Sequence, residues 1–412
     1  MKSNYKRLGQ FIQTVSIKNT DLKVTNLLGV SITKQFIPSI ANTIGTDMSK
    51  YKVVKKNQFV YGSITSRNGD KISVALLEDD EAIVSTSYTV FEVIDKEELL
   101  PEYLMMWFRR AEFDRYARYM SHGSTREAFG WDEMCDVELP IPSIEKQKEI
   151  VKEYKTITDR IKLNEQLNQK LEETAQAIYK EWFVDFEFPD ENSKPYRSSG
   201  GEMVYNDELD MEIPVGWESL NLENVCELIT KGTTPHNMFT NKFDSSVNYL
   251  KAECINNYHG IDEKKLSYIE ENIHIKELKR SILEENDLLF SIAGTLGKFS
   301  KVSKRILPAN INQAIAIIRV DRNKINLNYI EGLFLSGWHN EFYKDNIQQA
   351  VQENLSLTTI KALPILKPCD TVSEKINNFM ESILKSFEYT NIENQLLYEL
   401  KEILLSKMAT IN

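Results

Sequence analysis

Two stretches of this chain, about 226 residues apart, carry the same pattern, and a duplication of that length constrains the fold more than any single motif. Each runs from a helix led by Tyr-Leu or Tyr-Ile through a polar loop and a short Pro-terminated strand into a long heptad helix. Aligned without a gap at that offset, Tyr103 falls on Tyr329, Phe108 on Phe334, Glu127 on Glu353, Pro142 on Pro368, Ile150 on Ile376, Ile157 on Ile383, Asn168 on Asn394 and Leu171 on Leu397. Between the identities apolar positions stay apolar: Leu104 with Ile330, Phe129 with Leu355, Trp131 with Leu357, Met134 with Ile360, Val137 with Leu363. A chain built as globule, helix, globule, helix is suited to reading something two-sided.

The clearest single element covers about residues 143–182. Its stripe of Ile150, Tyr154, Ile157, Ile161, Asn164, Asn168, Leu171, Ala175, Ile178 and Trp182 alternates spacings of four and three, the seam of a coiled coil. The later copy reads Ile376, Met380, Ile383, Phe387, Thr390, Asn394, Leu397, Lys401, Leu404 and Met408. Both seams turn polar in the middle, at Asn164 and Asn168 and at Thr390 and Asn394. Polar seam residues fix register, because a slipped pairing would leave them against Leu or Ile. If the helices pack antiparallel, these four meet near one axis. The alternative is two unrelated amphipathic helices, each lying on its own globule; the coincident polar breaks favour the pair.

The globules, 1–142 and 215–368, read as mixed, with strand-like runs at 58–64, 82–93, 287–293 and 314–320 and helices at 101–120 and 327–346. The first helix region takes 143–188 and the second 369–412. Between them, 189–214 is rich in Pro, Gly, Ser and acids and reads as a surface linker. The expected fold class is α+β: two globular α/β modules joined by two long antiparallel coiled-coil helices in a circular pseudo-two-fold repeat.

The net charge of −11 argues against a generic nucleic-acid coat protein, though not against a protein that shows DNA one basic face. Cys135, Cys226, Cys254 and Cys369 are scattered without a C-x-x-C pair, and the five His residues lack metal-ligand spacing, so neither a disulfide framework nor a metal site is indicated. The N-terminus has no apolar signal region and no run reaches membrane-spanning length, so a cytoplasmic location is expected.

The segments ELPIPSIEKQKEIVKEY and LNEQLNQKLEETAQAIYKEWFVDFEFP, followed by IPVGW, KGTTP, GTLGK and QENLSLTTIKALPI, resemble in their order the specificity (S) subunit of Type I restriction-modification systems. The likeness covers essentially the whole chain: recognition domain, spacer helix, recognition domain, spacer helix. The second helix departs from it, since Lys401 interrupts the seam and ILKPCDTVSEKI lacks the start seen at Pro142 to Gln147. The resemblance implies that each recognition domain reads half of a bipartite, asymmetric target in double-stranded DNA. It implies that the helices act as a ruler on which two modification subunits dock. Those partners bind S-adenosylmethionine and methylate adenine, while restriction subunits bring ATP and Mg. This chain itself is then non-catalytic and needs no cofactor.

The residues agree with that division of labour. There is no Asn-Pro-Pro-Tyr-like methylation motif and no phosphate loop, and Gly294-Thr-Leu-Gly297-Lys298 lacks phosphate-loop spacing. Base readout needs hydrogen-bonding side chains on projecting loops, while phosphate contacts set register. In the first module the candidates are Ser124, Thr125 and Arg126, then Arg67, Asn68 and Lys71. In the second they are Lys231, Thr233 and Thr234, then Thr295 and Lys298, then Gln348, Gln349 and Gln352. Arg109, Arg110, Arg115 and Arg118 form the densest basic helix, and Arg115 and Arg118 share a face suited to phosphate; ion pairs with Glu112 and Asp114 are the alternative. Two other functions stand beside DNA readout: a coiled-coil adaptor that joins proteins without touching DNA, and a standalone enzyme.

Overall fold

Short runs rich in Val, Ile and Phe become strands, and in each half of the chain four of them make one antiparallel sheet. The computed structural model describes all residues except 1–3, 40–44, 66–68, 70, 123–126, 236–246, 347–353 and 412. The chain divides into two compact units, residues 1–161 with 395–412, and residues 162–394. The division falls inside both long helices, so each helix gives one part of its length to each unit.

The first unit contains β1 (Tyr5–Arg7), β2 (Ile12–Val15), β3 (Ile17–Lys18), β4 (Leu28–Val30), β5 (Phe36–Pro38), β6 (Lys52–Lys55), β7 (Gln58–Tyr61), β8 (Val74–Leu76), β9 (Glu81–Val84) and β10 (Thr89–Val93). After them come α1 (Pro101–Phe108), α2 (Ala111–Met120), α3 (Trp131–Cys135), β11 (Glu138–Pro140) and the first part of α4 (Ile144–Tyr179). The main sheet runs β2-β10-β7-β8, with Phe91 opposite Phe59 and their rings stacked at 4.8 Å. The buried α1 lies against it, Phe108 edge-on to Phe59 at 5.8 Å. A smaller sheet runs β3-β6-β9, and β4-β5 is a hairpin.

The second unit contains β12 (Met203–Asn206), β13 (Met211–Pro214), β14 (Glu218–Asn221), β15 (Cys226–Lys231), β16 (Val247–Leu250), β17 (Ser267–Ile269), β18 (Leu288–Ser291), β19 (Phe299–Lys301), β20 (Ala309–Ile311) and β21 (Ile315–Val320). It continues with α5 (Leu327–Leu335), α6 (Trp338–Asn346), α7 (Leu357–Lys361), β22 (Pro364–Lys367) and most of α8 (Asp370–Lys407). Its main sheet runs β15-β21-β18-β19, the same order as in the first unit. The smaller sheet differs: β17-β16-β20 includes a parallel pair, whereas β3-β6-β9 is wholly antiparallel.

Matching hydrogen bonds make the duplication physical. The Tyr103 hydroxyl donates to the Pro140 carbonyl and the Tyr329 hydroxyl to that of Leu366, so donor and acceptor both keep the sequence offset. Leu8 N–H donates to Val137 O at 2.8 Å and Leu222 N–H to Leu363 O at 2.9 Å. Each unit thus ties an early strand to the strand that leads into a long helix, β1 to β11 and β14 to β22.

Three expected elements are divided. The run 82–93 is two strands in different sheets, because a Ser85–Tyr88 turn, with Tyr88 N–H donating to Ser85 O at 3.2 Å, reverses it. The helix expected at 101–120 breaks at Arg110, whose guanidinium sits 4.2 Å from the Trp107 ring while its backbone is extended. Its counterpart breaks at Gly337, which takes a left-handed φ of +73°. The stretch 189–214, read as a linker, carries the β12-β13 hairpin. Phe188, just before it, stacks on Tyr196 at 4.6 Å and on Trp217 at 5.1 Å, which holds the stretch onto the core of the second unit.

Most of the expected seam positions are buried within each unit, but Leu171, Ile178, Trp182, Leu397, Lys401 and Leu404 are only half-buried. Towards the π turn at Lys180–Val184 the buried face passes to Tyr179 and Phe183, and near the end of α8 to Leu405. In the first unit, Ile150, Val151 and Tyr154 share a core with Leu405 and Met408. In the second, Ala175, Tyr179 and Phe183 share one with Ile376, Met380, Ile383 and Phe387. In both units the two helical segments run antiparallel, since early residues of one meet late residues of the other. Each buried Ile, Phe or Met contributes roughly 1.5–3 kcal/mol by leaving water.

Candidate nucleic-acid interface

In the first unit the roots of the two predicted loops are joined. Ile64 bridges Ala128 and His122 also bridges Ala128, Thr65 N–H donates to Glu127 O at 3.0 Å, and the Thr65 hydroxyl donates to Ser121 Oγ at 2.9 Å. The described residues that lead into 66–68 and 123–126 therefore lie side by side. Arg67, Asn68, Ser124, Thr125 and Arg126 themselves lie outside the described residues. Lys71 is exposed, and the next residue, Ile72, is fixed by its N–H donating to Asp114 Oδ1 at 3.2 Å.

The basic helix is already paired. Arg115 contacts Glu112 at 3.3 Å and Arg118 contacts Glu127. Asp114, expected to pair with an arginine of its own helix, instead takes Lys34 at 2.8 Å, a lysine delivered from the β4-β5 hairpin and nearly buried there. Burial pushes the Lys34 ammonium down, and Asp114 opposes that shift. Arg109 faces Tyr154 and Arg110 is buried on Trp107, so neither is presented as a phosphate ligand. The Arg115 and Arg118 pairs are exposed, worth at most about 1 kcal/mol, so a phosphate can exchange for either carboxylate. Tyr119 on the same helix is 83 % exposed, an aromatic face that no spacing in the sequence marks.

In the second unit Lys231, Thr233 and Thr234 are all exposed at the end of β15. Gly232 lets this segment run hard against the β20-β21 turn: a Cβ there would meet the Ile311 carbonyl oxygen at 2.0 Å. The Tyr249 hydroxyl donates to Thr233 O at 3.0 Å, Arg280 Nη2 donates to the Thr233 hydroxyl at 3.0 Å, and the Thr234 hydroxyl donates to Gln313 Oε1. Arg280 and Gln313 lie 47 and 79 residues from the threonines that hold them. No local spacing could have joined them to the KGTTP motif.

Thr295 and Lys298 lie at the turn between β18 and β19, where Gly294 and Gly297 take left-handed φ values of +78° and +79°. The turn joins two strands, Ser291 N–H donating to Lys298 O at 2.8 Å, so its glycines serve a hairpin and not a strand-to-helix phosphate loop. Its root meets the stretch before α7: Ala293 bridges Asn354, as Ile64 bridges Ala128 in the first unit. Gln348, Gln349 and Gln352 lie outside the described residues.

The four polar seam residues come together inside the second unit. Asn164 Nδ2 donates to Asn394 Oδ1 at 2.9 Å and to Glu393 Oε2 at 2.7 Å, and the Thr390 hydroxyl donates to Asn168 Oδ1 at 2.6 Å. All four are buried. The Asn168 Nδ2 has no hydrogen-bond partner among the described residues. His339 sits in a cage of Phe290, Phe334 and Tyr343 and is pushed down to about 4 by burial. Among the described residues no three His, Cys, Asp or Glu side chains gather as a metal would require.

The family profile for the Type I restriction modification DNA specificity domain matches residues 3–173 and 214–402, one stretch for each copy of the duplicated pattern. The chain belongs to this family. It is 26 % identical to the Type I restriction enzyme HindI specificity subunit of Haemophilus influenzae, over 87 % of this chain and 86 % of that protein. To the MjaIX specificity subunit of Methanocaldococcus jannaschii it is 24 % identical, over 79 % of this chain and 72 % of that protein. Among solved structures, the Type I restriction-modification S subunit from M. genitalium matches with a TM-score of 0.53 and 12 % identity, over 98 % of this chain and 95 % of that chain. The likeness at that identity is one of fold. No helix among the described residues is long and apolar enough to cross a membrane.

Proposed function

We propose that this specificity subunit reads a bipartite DNA target, one half-site per duplicated module, and that it carries two modification subunits on its long helices. The observation that carries the reading is the repeated four-stranded scaffold with unlike smaller sheets: the same support appears twice, and the parts free to differ do differ. A symmetric reader would need no such divergence. For partner docking, Leu396, Leu400 and Ile403 project into solvent from the last turns of α8, 57 %, 50 % and 51 % exposed, at spacings of four and three. Such a stripe on a helix is suited to a partner helix.

In this reading the chain performs no chemistry. Modification subunits supply S-adenosylmethionine and adenine methylation, restriction subunits supply ATP- and Mg-dependent cleavage, and the complex acts on cytoplasmic DNA. The net charge of −11 leaves the chain alone with little field to hold a duplex. Modification subunits given a random-sequence DNA library should methylate a gapped motif only when this chain is present, and the isolated chain should show no tight specific binding at physiological salt. A continuous motif, or the same motif without the chain, would refute the reading.

A further inference from the structure

We infer that Arg280 is a base-reading residue of the second module, held ready for a guanine edge by Thr233; the inference rests on the DNA-reading function proposed above. Arg280 lies in a short helical turn, Lys279–Ser281, whose backbone is pinned on both sides. The fully buried Asn310 donates to Leu278 O at 3.0 Å and reaches Ser281 Oγ at 3.4 Å, and its own carbonyl oxygen meets His274 Nδ1 at 2.6 Å. Ser281 is 1 % exposed, while Arg280 beside it is exposed. The side chain therefore leaves a fixed base and points to solvent.

Its far end is also positioned. Nη2 donates to the Thr233 hydroxyl at 3.0 Å, and Thr233 belongs to the segment that Gly232, Tyr249 and the Thr234–Gln313 contact clamp against the β20-β21 turn. Among the described residues Arg280 has no carboxylate partner, unlike Arg115, Arg118, Arg305 and Arg319. A neutral tether occupies one of five N–H donors and leaves the rest of the fork unpaired. Phosphate accepts a cation from many directions and gains little from such fixing. A guanine edge requires two donors in one plane, and pre-fixing them removes the ordering cost of a long side chain.

The test uses the complex assembled with modification subunits, a random-sequence DNA library, and sequencing of the methylated sites for wild type, Arg280→Ala, Arg280→Lys and Thr233→Val. In Arg280→Ala one G·C position of one half-site should lose roughly 5- to 150-fold in preference, with the other half-site unchanged. Arg280→Lys should lose most of that preference although it keeps the charge, and Thr233→Val part of it although it keeps the arginine. Uniform weakening over all sequences with Arg280→Lys behaving as wild type would assign the residue to phosphate and overturn the inference, as would an unchanged motif in all three variants. A wild-type complex with no sequence preference would overturn the underlying reading as well, and is told apart because it needs no variant.

Discussion

At the scale of single residues, the chemistry that sequence makes visible is the chemistry of regular spacing. Asn164, Asn168, Thr390 and Asn394 could be placed together because a heptad fixes which positions face a partner. Arg280 and Gln313 could not, because what joins them to the KGTTP segment is a close backbone approach at Gly232, a property of the fold. His339 is a similar case: a histidine on a helix gives no sign of burial until α6 folds over Phe290. Its lowered pKa has a consequence for stability. Between its usual 6.5 and about 4 the unfolded chain takes a proton that the folded chain refuses, so stability falls as pH drops through that window. From pH 7.5 to 5 the loss should be about 2 kcal/mol, read by urea unfolding. The buried Glu331, raised by burial, works in the opposite direction, so the measurement is a difference between wild type and His339→Phe. If the variant keeps the full wild-type pH slope, His339 is not its source.

At the scale of elements, length and periodicity were legible and interruptions were not. Both long helices appear close to where the seam placed them, as Ile144–Tyr179 and Asp370–Lys407. The break at Arg110 is held by a local stack on Trp107, three residues earlier, and the break at Ser85–Tyr88 depends on two sheets claiming one run. The hairpin in 189–214 was hidden because its strands pair mainly with each other and are anchored by aromatic residues outside the stretch. The polar centre of the helix pair should cost stability. Thr390→Val removes the donor to Asn168, whose Nδ2 already lacks a partner, and should destabilise by about 1–3 kcal/mol. Replacing both Asn168 and Thr390 by Leu should recover that loss or exceed wild type, because no buried polar group is then left unpaired. Thermal melts of the two variants decide it; a double variant less stable than Thr390→Val would contradict the account.

At the scale of the whole molecule, the duplication makes two separable statements: that the helices set a distance and that the modules read independently. One extra heptad after Lys170 keeps the seam and adds roughly 10 Å of helix, up to about three base pairs at 3.4 Å each. The methylated motif of that variant should keep both half-sites and widen its gap, by less than the full amount because the other helix is unchanged. An unwidened gap in an active variant would deny the helices the role of ruler. Independence is tested most directly by exchanging residues 5–140 for the first module of another family member, with the core contacts to Ile150, Tyr154, Leu405 and Met408 retained. The measurement is the motif methylated by the assembled complex. One half-site should change to that of the donor and the other should stay as it was; a motif in which both halves change, or neither does, would contradict the two-module account.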